Sequence, residues 1–186
     1  GFLIFMDIAL FALSAAGYVL FKKGLTGPPR MKPRSIDDPQ PAPVLALWFS
    51  AGWCPDCVQF RPYVESFLDY EAKQNSAPLV RFVYVSSDAT EEDIFAFKPK
   101  NMAHVPFGNY AERDNMKRHY GVCAAKEREP LKMTPEQRKF GIPTVLMLDT
   151  KTGDVLYSDA TIDLERMEAP QVYNKWKTEI LPKASR

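Results

Sequence analysis

Residues 44–60 read VLALWFSAGWCPDCVQF, and this junction constrains the fold more than any other stretch of the chain. Residues 44–49 are a short apolar run closed by a turn-forming Ser-Ala-Gly, the pattern of a strand buried on both faces. Pro55 then suits the first turn of a helix. Val58, Tyr63, Val64, Phe67 and Leu68 carry an apolar side to about Lys73. Pro62 falls inside that pattern and predicts a kink. Cys54 and Cys57 therefore stand where a strand turns into a helix, one helical turn apart. They can be a redox pair, half of a zinc site, or two core residues that happen to be thiols.

The position favours redox chemistry. A thiolate is the nucleophile in disulfide exchange, and free cysteine is mostly protonated near neutral pH. The first turn of a helix carries unpaired N–H groups and about half a positive charge, which stabilises a thiolate placed there. Cys54 occupies that place and is the expected attacking thiol, with Cys57 as the resolving one. Trp53 is expected to cover the pair on one side, and Pro55 to stiffen the turn. Asp56 opposes thiolate formation beside it, which predicts a more reducing pair than a neutral residue would give.

The other readings are weaker. Structural zinc takes four ligands, commonly two Cys-x-x-Cys pairs. Here one pair is joined only by Cys123, His104 and His119, with no supporting spacing, so no metal is expected. Three cysteines in 186 residues do not make a disulfide scaffold, and the odd count points to a mostly reducing compartment. Cys123 reads as a buried thiol, with a third redox partner as the alternative. A net charge of +1 offers no field for nucleic acid, and no nucleic-acid partner is expected. Glycine-rich phosphate loops and a serine-hydrolase elbow are absent.

Downstream, residues 79–85 read as a second strand and 90–97 as a helix capped by Thr90. Residues 109–120 form a third helical pattern. Residues 144–149 and 154–159 are strands around a Thr-Lys-Thr-Gly hairpin turn. Residues 169–181 form a last amphipathic helix with Val172, Trp176 and Ile180 on one side. The order is β-α-β-α-α-β-β-α, an α/β chain with a central mixed sheet flanked by helices.

The segments LWFSAGWCPDC, FVYVSSD, VPFGNYAERDNMKRHYGV and FGIPTVLMLD together resemble the tryparedoxin and nucleoredoxin branch of the thioredoxin superfamily. The likeness covers roughly residues 44–160 and implies a thioredoxin-like fold. It implies that Cys54 attacks a disulfide, that Cys57 resolves, and that Pro143 is cis. Ile142, Pro143 and Thr144 would then form a substrate loop facing the pair, holding an extended peptide by strand-like hydrogen bonds. His104 would lie toward the substrate side. Two departures stand out. Asp56 replaces a second proline usual in the branch, and Trp48 stands where many thioredoxins bury an acid. Residues 123–140 are an insertion between the third helix and the proline loop, expected to dock or cover beside the site rather than to be a solvated loop. Thr134, Pro135 and Gln137 read as the capped first turn of a short helix within it.

The chain opens differently. Residues 2–21 are apolar apart from Asp7, and about 20 helical residues span the roughly 30 Å core of a bilayer. There is no basic region ahead of the run, as a signal peptide would need. We read residues 1–21 as one N-terminal transmembrane helix. Ala9, Ala12, Ala16 and Gly17 give it a small-residue side for a partner helix. Lys22, Lys23, Arg30, Lys32 and Arg34 follow, which places the soluble domain on the cytoplasmic or matrix side. Residues 22–43 hold six prolines and read as an extended basic linker, at ~3.1 Å per residue reaching roughly 65 Å. Residues 44–186 are the thioredoxin-like domain. Gly1 in place of methionine suggests a fragment or a processed form.

The expected function is a membrane-anchored, tryparedoxin-type thiol–disulfide oxidoreductase with no cofactor beyond the Cys54–Cys57 disulfide. Its partners would be a protein disulfide substrate or a dithiol reductant, and other membrane-protein subunits. The alternative is an accessory subunit of a large mitochondrial membrane complex such as a respiratory complex, with a structural or auxiliary redox role. The expected location is a membrane crossed once, with the soluble domain on the cytoplasmic or matrix side; the mitochondrial inner membrane is the suspected one.

Overall fold

The computed structural model describes residues 42–74 and 77–184. The predicted span at 2–21 and nearly all of the linker at 22–43 lie outside the described residues.

A mixed five-stranded sheet organises the domain. It comprises β1 (Val44–Ser50), β2 (Val80–Ser86), β3 (Ala103–His104), β4 (Thr144–Asp149) and β5 (Val155–Tyr157), in spatial order β3-β2-β1-β4-β5. β2 runs parallel to β1 and β3 parallel to β2, whereas β4 is antiparallel to both β1 and β5. The parallel pairs are joined through α1 (Pro55–Gln74) and α2 (Glu91–Phe97), the longer connections that parallel neighbours require. β4 and β5 need only the predicted tight turn.

Every residue of β1 is buried, as expected for a central strand covered on both faces. Its alternation divides the core. Val44, Ala46 and Trp48 face Phe60, Val64 and Phe67 of α1, with α4 (Ala160–Arg166) and α5 (Ala169–Lys175) completing that layer. Leu45, Leu47 and Phe49 face Met116 and Tyr120 of α3 (Tyr110–Tyr120) on the other side. Trp48 fills the position without an acid. Its ring meets Tyr84 at 5.3 Å, Phe97 at 5.8 Å and Phe60 at 6.4 Å.

Two buried carboxylates lock elements that burial alone would leave free to slide. Glu71 Oε1 accepts the Leu79 and Val80 N–H groups at 2.9 and 3.0 Å, fastening the end of α1 to the start of β2. Burial pushes the Glu71 carboxyl above its usual range. Asp163 accepts from the Trp176 indole at 2.9 Å and pairs with Lys175 at 2.8 Å, joining α4 to the C-terminal helix.

α1 does run through Pro62 to Gln74, as the apolar pattern predicted, with Phe60, Val64 and Phe67 anchored against the sheet, but other elements differ. β3 is a two-residue edge strand, too short to show a period. α4 lacks a side-chain N-cap bond, so the local signal for a helix start is missing. The last helix passes into a π turn at Trp176–Ile180. Thr134 and Gln137 make reciprocal side-chain to backbone hydrogen bonds but close a turn rather than a helix; the helical turn of the insertion is a 3₁₀ turn at Ala125–Glu127.

Candidate active site

Cys54 sits directly ahead of α1. Its N–H donates to the Ala51 carbonyl at 3.3 Å, and its carbonyl accepts from Val58 at 3.0 Å, opening the helical ladder. Its side chain keeps a small exposed surface, 8 %, whereas Cys57 is fully buried at 0 %. All three cysteines are free thiols. The Cys57 thiol is pushed up to about 12, chiefly by burial; the Ser50 hydroxyl and the Ala51 backbone oppose that shift without cancelling it. Cys57 therefore stays protonated in the reduced protein, while Cys54 keeps the only exposed edge of the pair.

The Ile142–Pro143 peptide is cis, and the Ile142 carbonyl accepts from Cys54 Sγ at 3.9 Å. Thr144 Oγ1 donates to the Gly141 carbonyl at 2.8 Å and ties the loop to the start of β4. Ile142, Pro143 and Thr144 are thus brought beside the cysteines across 88 residues of chain. Trp53 is exposed and flanks Cys54, and Pro55 and Asp56 occupy the exposed first turn of α1.

The loop after β2 holds the cysteine loop in place, a role for which sequence reasoning had only the Ser-Ser-Asp string. Ser87 N–H donates to the Ser50 carbonyl, and the Trp53 indole donates to the Ser87 carbonyl, both at 2.9 Å. Asp88, nearly buried, accepts the Gly52 N–H at 2.7 Å on one oxygen and the Tyr84 and Ser86 hydroxyls on the other, at 2.7 and 2.8 Å. Burial, then the Asp88 charge, hold the Tyr84 phenol well above its usual range, so it serves as a donor only. Gly52 permits the tight approach: a Cβ there would come 3.0 Å from Phe97 Cβ.

The insertion packs against this arrangement. α3 ends at Gly121, whose φ of 70° suits glycine and where a Cβ would lie 2.6 Å from the Gln137 carbonyl. Lys139 and Phe140 N–H groups return to the Gly121 carbonyl. Cys123, Leu131 and Met133 form a small core of their own, and burial raises the Cys123 thiol. The Glu127 carboxylate accepts the Ala124 N–H, the Ser87 hydroxyl and the buried Lys117 ammonium, which also donates to Ser87 Oγ at 2.9 Å. Lys126 lies over the Trp53 ring, 3.4 Å from its centroid. None of Ser87, Lys117, Lys126 or Glu127 stood out in the sequence, since their contacts span 10 to 40 residues or more.

The two histidines lie elsewhere. His104 is on the edge strand β3 with its ring against Phe95. His119 lies in the last turn of α3, where burial and then Lys139 lower its pKa. Among the described residues, no group of three or more His, Cys, Asp and Glu side chains is placed to hold a metal ion.

Comparison with known proteins agrees with this fold. A family profile described as Thioredoxin-like matches residues 43–155. Nucleoredoxin-like protein 1 of Mus musculus is 32% identical over 140 residues, covering 72% of this chain and 55% of that protein. Nucleoredoxin of Homo sapiens is 30% identical over 123 residues, covering 64% of this chain and 23% of that protein. The chain thus spans only about half of the former and a quarter of the latter. A solved structure of tryparedoxin II complexed with glutathionylspermidine superposes with a TM-score of 0.52 at 19% identity, covering 79% of this chain and 91% of that one; the likeness is one of fold.

Proposed function

The chain belongs to the thioredoxin-like family, and from that premise we propose that it is a thiol–disulfide oxidoreductase of tryparedoxin type working through Cys54 and Cys57. The observation that carries this reading is the contrast between the two thiols, one ahead of a helix with a small exposed edge and one fully sealed beneath it. Cys54 as thiolate attacks one sulfur of a substrate disulfide. The other sulfur leaves as a thiolate and takes up a proton. Cys57 then loses its proton and attacks Cys54 Sγ, the mixed disulfide breaks, and the second substrate thiol departs. Two electrons and two protons reach the substrate, and the Cys54–Cys57 disulfide is reduced again by an external dithiol. No other cofactor enters. Trp53, Pro55 and Asp56 border the attacking sulfur, and Ile142, Pro143 and Thr144 present the loop on which the substrate chain rests.

We further propose that residues 2–21 anchor the domain in a membrane, the mitochondrial inner membrane, through the basic linker at 22–43. The length and apolarity of the run and the lysines and arginines after it support this. The small-residue side of that run supports the second reading, an accessory subunit of a mitochondrial membrane complex such as a respiratory complex.

A trapping experiment tests the enzyme. Cys57→Ser in the native membrane should leave Cys54 bound to its substrate in adducts that dithiothreitol releases and that vanish when Cys54 is also Ser. A folded, membrane-bound variant giving no adduct would overturn the enzyme reading in favour of the subunit.

A further inference from the structure

The insertion brings two cations beside the residues that border Cys54, Lys126 against Trp53 and Arg138 against Gly141 of the proline loop. On the Trp53 side, Lys126 is solvent-exposed, rests on the indole face and has no carboxylate partner among the described residues. Its backbone is not free to drift, because the neighbouring Glu127 carboxylate is fastened to Ala124, Ser87 and Lys117. On the side of the proline loop, Arg138 donates from Nε to the Cys123 carbonyl at 3.0 Å. Its Nη2 lies so close to Gly141 that a Cβ there would be 2.9 Å away. Gly141 precedes Ile142, whose carbonyl meets Cys54 Sγ.

The nearby carboxylates do not cancel these charges evenly. Glu127 is neutralised by Lys117, and Asp88 is nearly buried with both oxygens engaged. Asp56, on the first turn of α1, is exposed, as are Glu129 and Glu136 within the insertion itself. A disulfide seated between Trp53 and the proline loop therefore meets a lysine or an arginine to either side. Charges at the rim of a site act mainly on the rate of productive encounter and on discrimination between partners.

We propose that residues 123–140 make this site selective for disulfides whose sulfurs are flanked by carboxylates, with Lys126 as the main specificity-determining residue and Arg138 as its counterpart. This rests on the oxidoreductase reading. The reaction is the exchange described above, two electrons passing from the Cys54–Cys57 dithiol to the disulfide.

The test is a single-turnover measurement on the reduced full chain in uncharged detergent. Three small disulfides serve as probes: glutathione disulfide (anionic), bis(2-hydroxyethyl) disulfide (neutral) and cystamine (cationic). Each rate constant is divided by that of dithiothreitol with the same disulfide, which removes leaving-group differences. The expected order is anionic above neutral above cationic, narrowing as salt is raised. Lys126→Glu should lower the anionic-to-cationic ratio by about tenfold, and Lys126→Arg should preserve it. Equal normalised rates for the three probes, or an order that Lys126→Glu leaves in place, would overturn the proposal. Failure of all three probes to oxidise the Cys54–Cys57 pair would instead overturn the oxidoreductase reading beneath it.

Discussion

Trp53 donates its indole N–H to the backbone carbonyl of Ser87 at 2.9 Å, so the aromatic residue beside Cys54 is held by the loop that follows β2. The same Ser87 uses its hydroxyl to reach Glu127 in the insertion. One serine thus joins the cysteine loop, the second strand and residues 123–140.

Asp88 is the strongest tie in that junction. An asparagine keeps the shape but offers one acceptor oxygen where the carboxylate serves three donors on two oxygens. Hydrogen bonds to a charged group contribute more than neutral ones, so Asp88→Asn should cost about 2–3 kcal/mol. Urea denaturation measures this. The Gly52 loop should loosen as well, slowing disulfide exchange; an unchanged midpoint with an unchanged rate would show that Asp88 does not position the cysteine loop.

Lys117 and Glu127 form a pair whose lysine side chain is only 4% exposed. Removing one member leaves the other charge without its partner. Glu127→Gln leaves the more deeply buried ammonium without its counter-charge and should therefore destabilise the domain by about 3 kcal/mol, whereas Lys117→Met leaves a partly exposed carboxylate that still accepts from Ala124 and Ser87 and should cost less, about 1 kcal/mol. Trp53 should become more mobile in both, since Lys126 and Ser87 are carried by the same segment. Time-resolved fluorescence anisotropy in a Trp48→Phe, Trp176→Phe background reports on Trp53 alone. Equal losses for the two substitutions would count against the ion-pair account.

Cys57 makes stability depend on pH with a definite sign. An unfolded chain releases the thiol proton near the ordinary value of 9.0, while the folded protein holds it until about 12. Between those values the native state binds more protons than the unfolded one, so this contribution is intact below pH 9 and is lost as pH rises toward 12. The slope for one such group approaches about 1.4 kcal/mol per pH unit. The difference in unfolding free energy between the reduced protein and Cys57→Ala isolates it from other groups. That difference should shrink from pH 9 upward; a flat or rising difference would mean that the thiol is not desolvated.

Asp56 sets a charge beside the thiol pair. A carboxylate disfavours a neighbouring thiolate and so destabilises the reduced form. Asp56→Pro is expected to make the reduction potential less negative, by on the order of 20 mV. Equilibration against a glutathione redox buffer checks this, and no change or a more negative value would remove Asp56 from the account. The exposure of Asp56 argues for a small shift, because solvent screens it.

Much of this molecule is written locally. The apolar run at 44–49, the Thr90 cap and the Thr-Lys-Thr-Gly turn report their own conformations, because each depends on side chains within a few residues. The same holds for Cys54 at a helix start, since a strand run, a turn and a proline suffice to place it. Elements without a local signal escaped. β3 exists only because it pairs with β2, and α4 starts without a side-chain cap bond. Chain order alone was enough to place two thiols at one strand–helix junction and a proline ahead of a later strand. Packing decided that Cys54 keeps an edge of surface while Cys57 has none, that Asp88 and Ser87 clamp the loop, and that Lys126 rests on Trp53. Those outcomes depend on burial and on hydrogen bonds between segments far apart in the chain, quantities that take a value only when the layers close on one another.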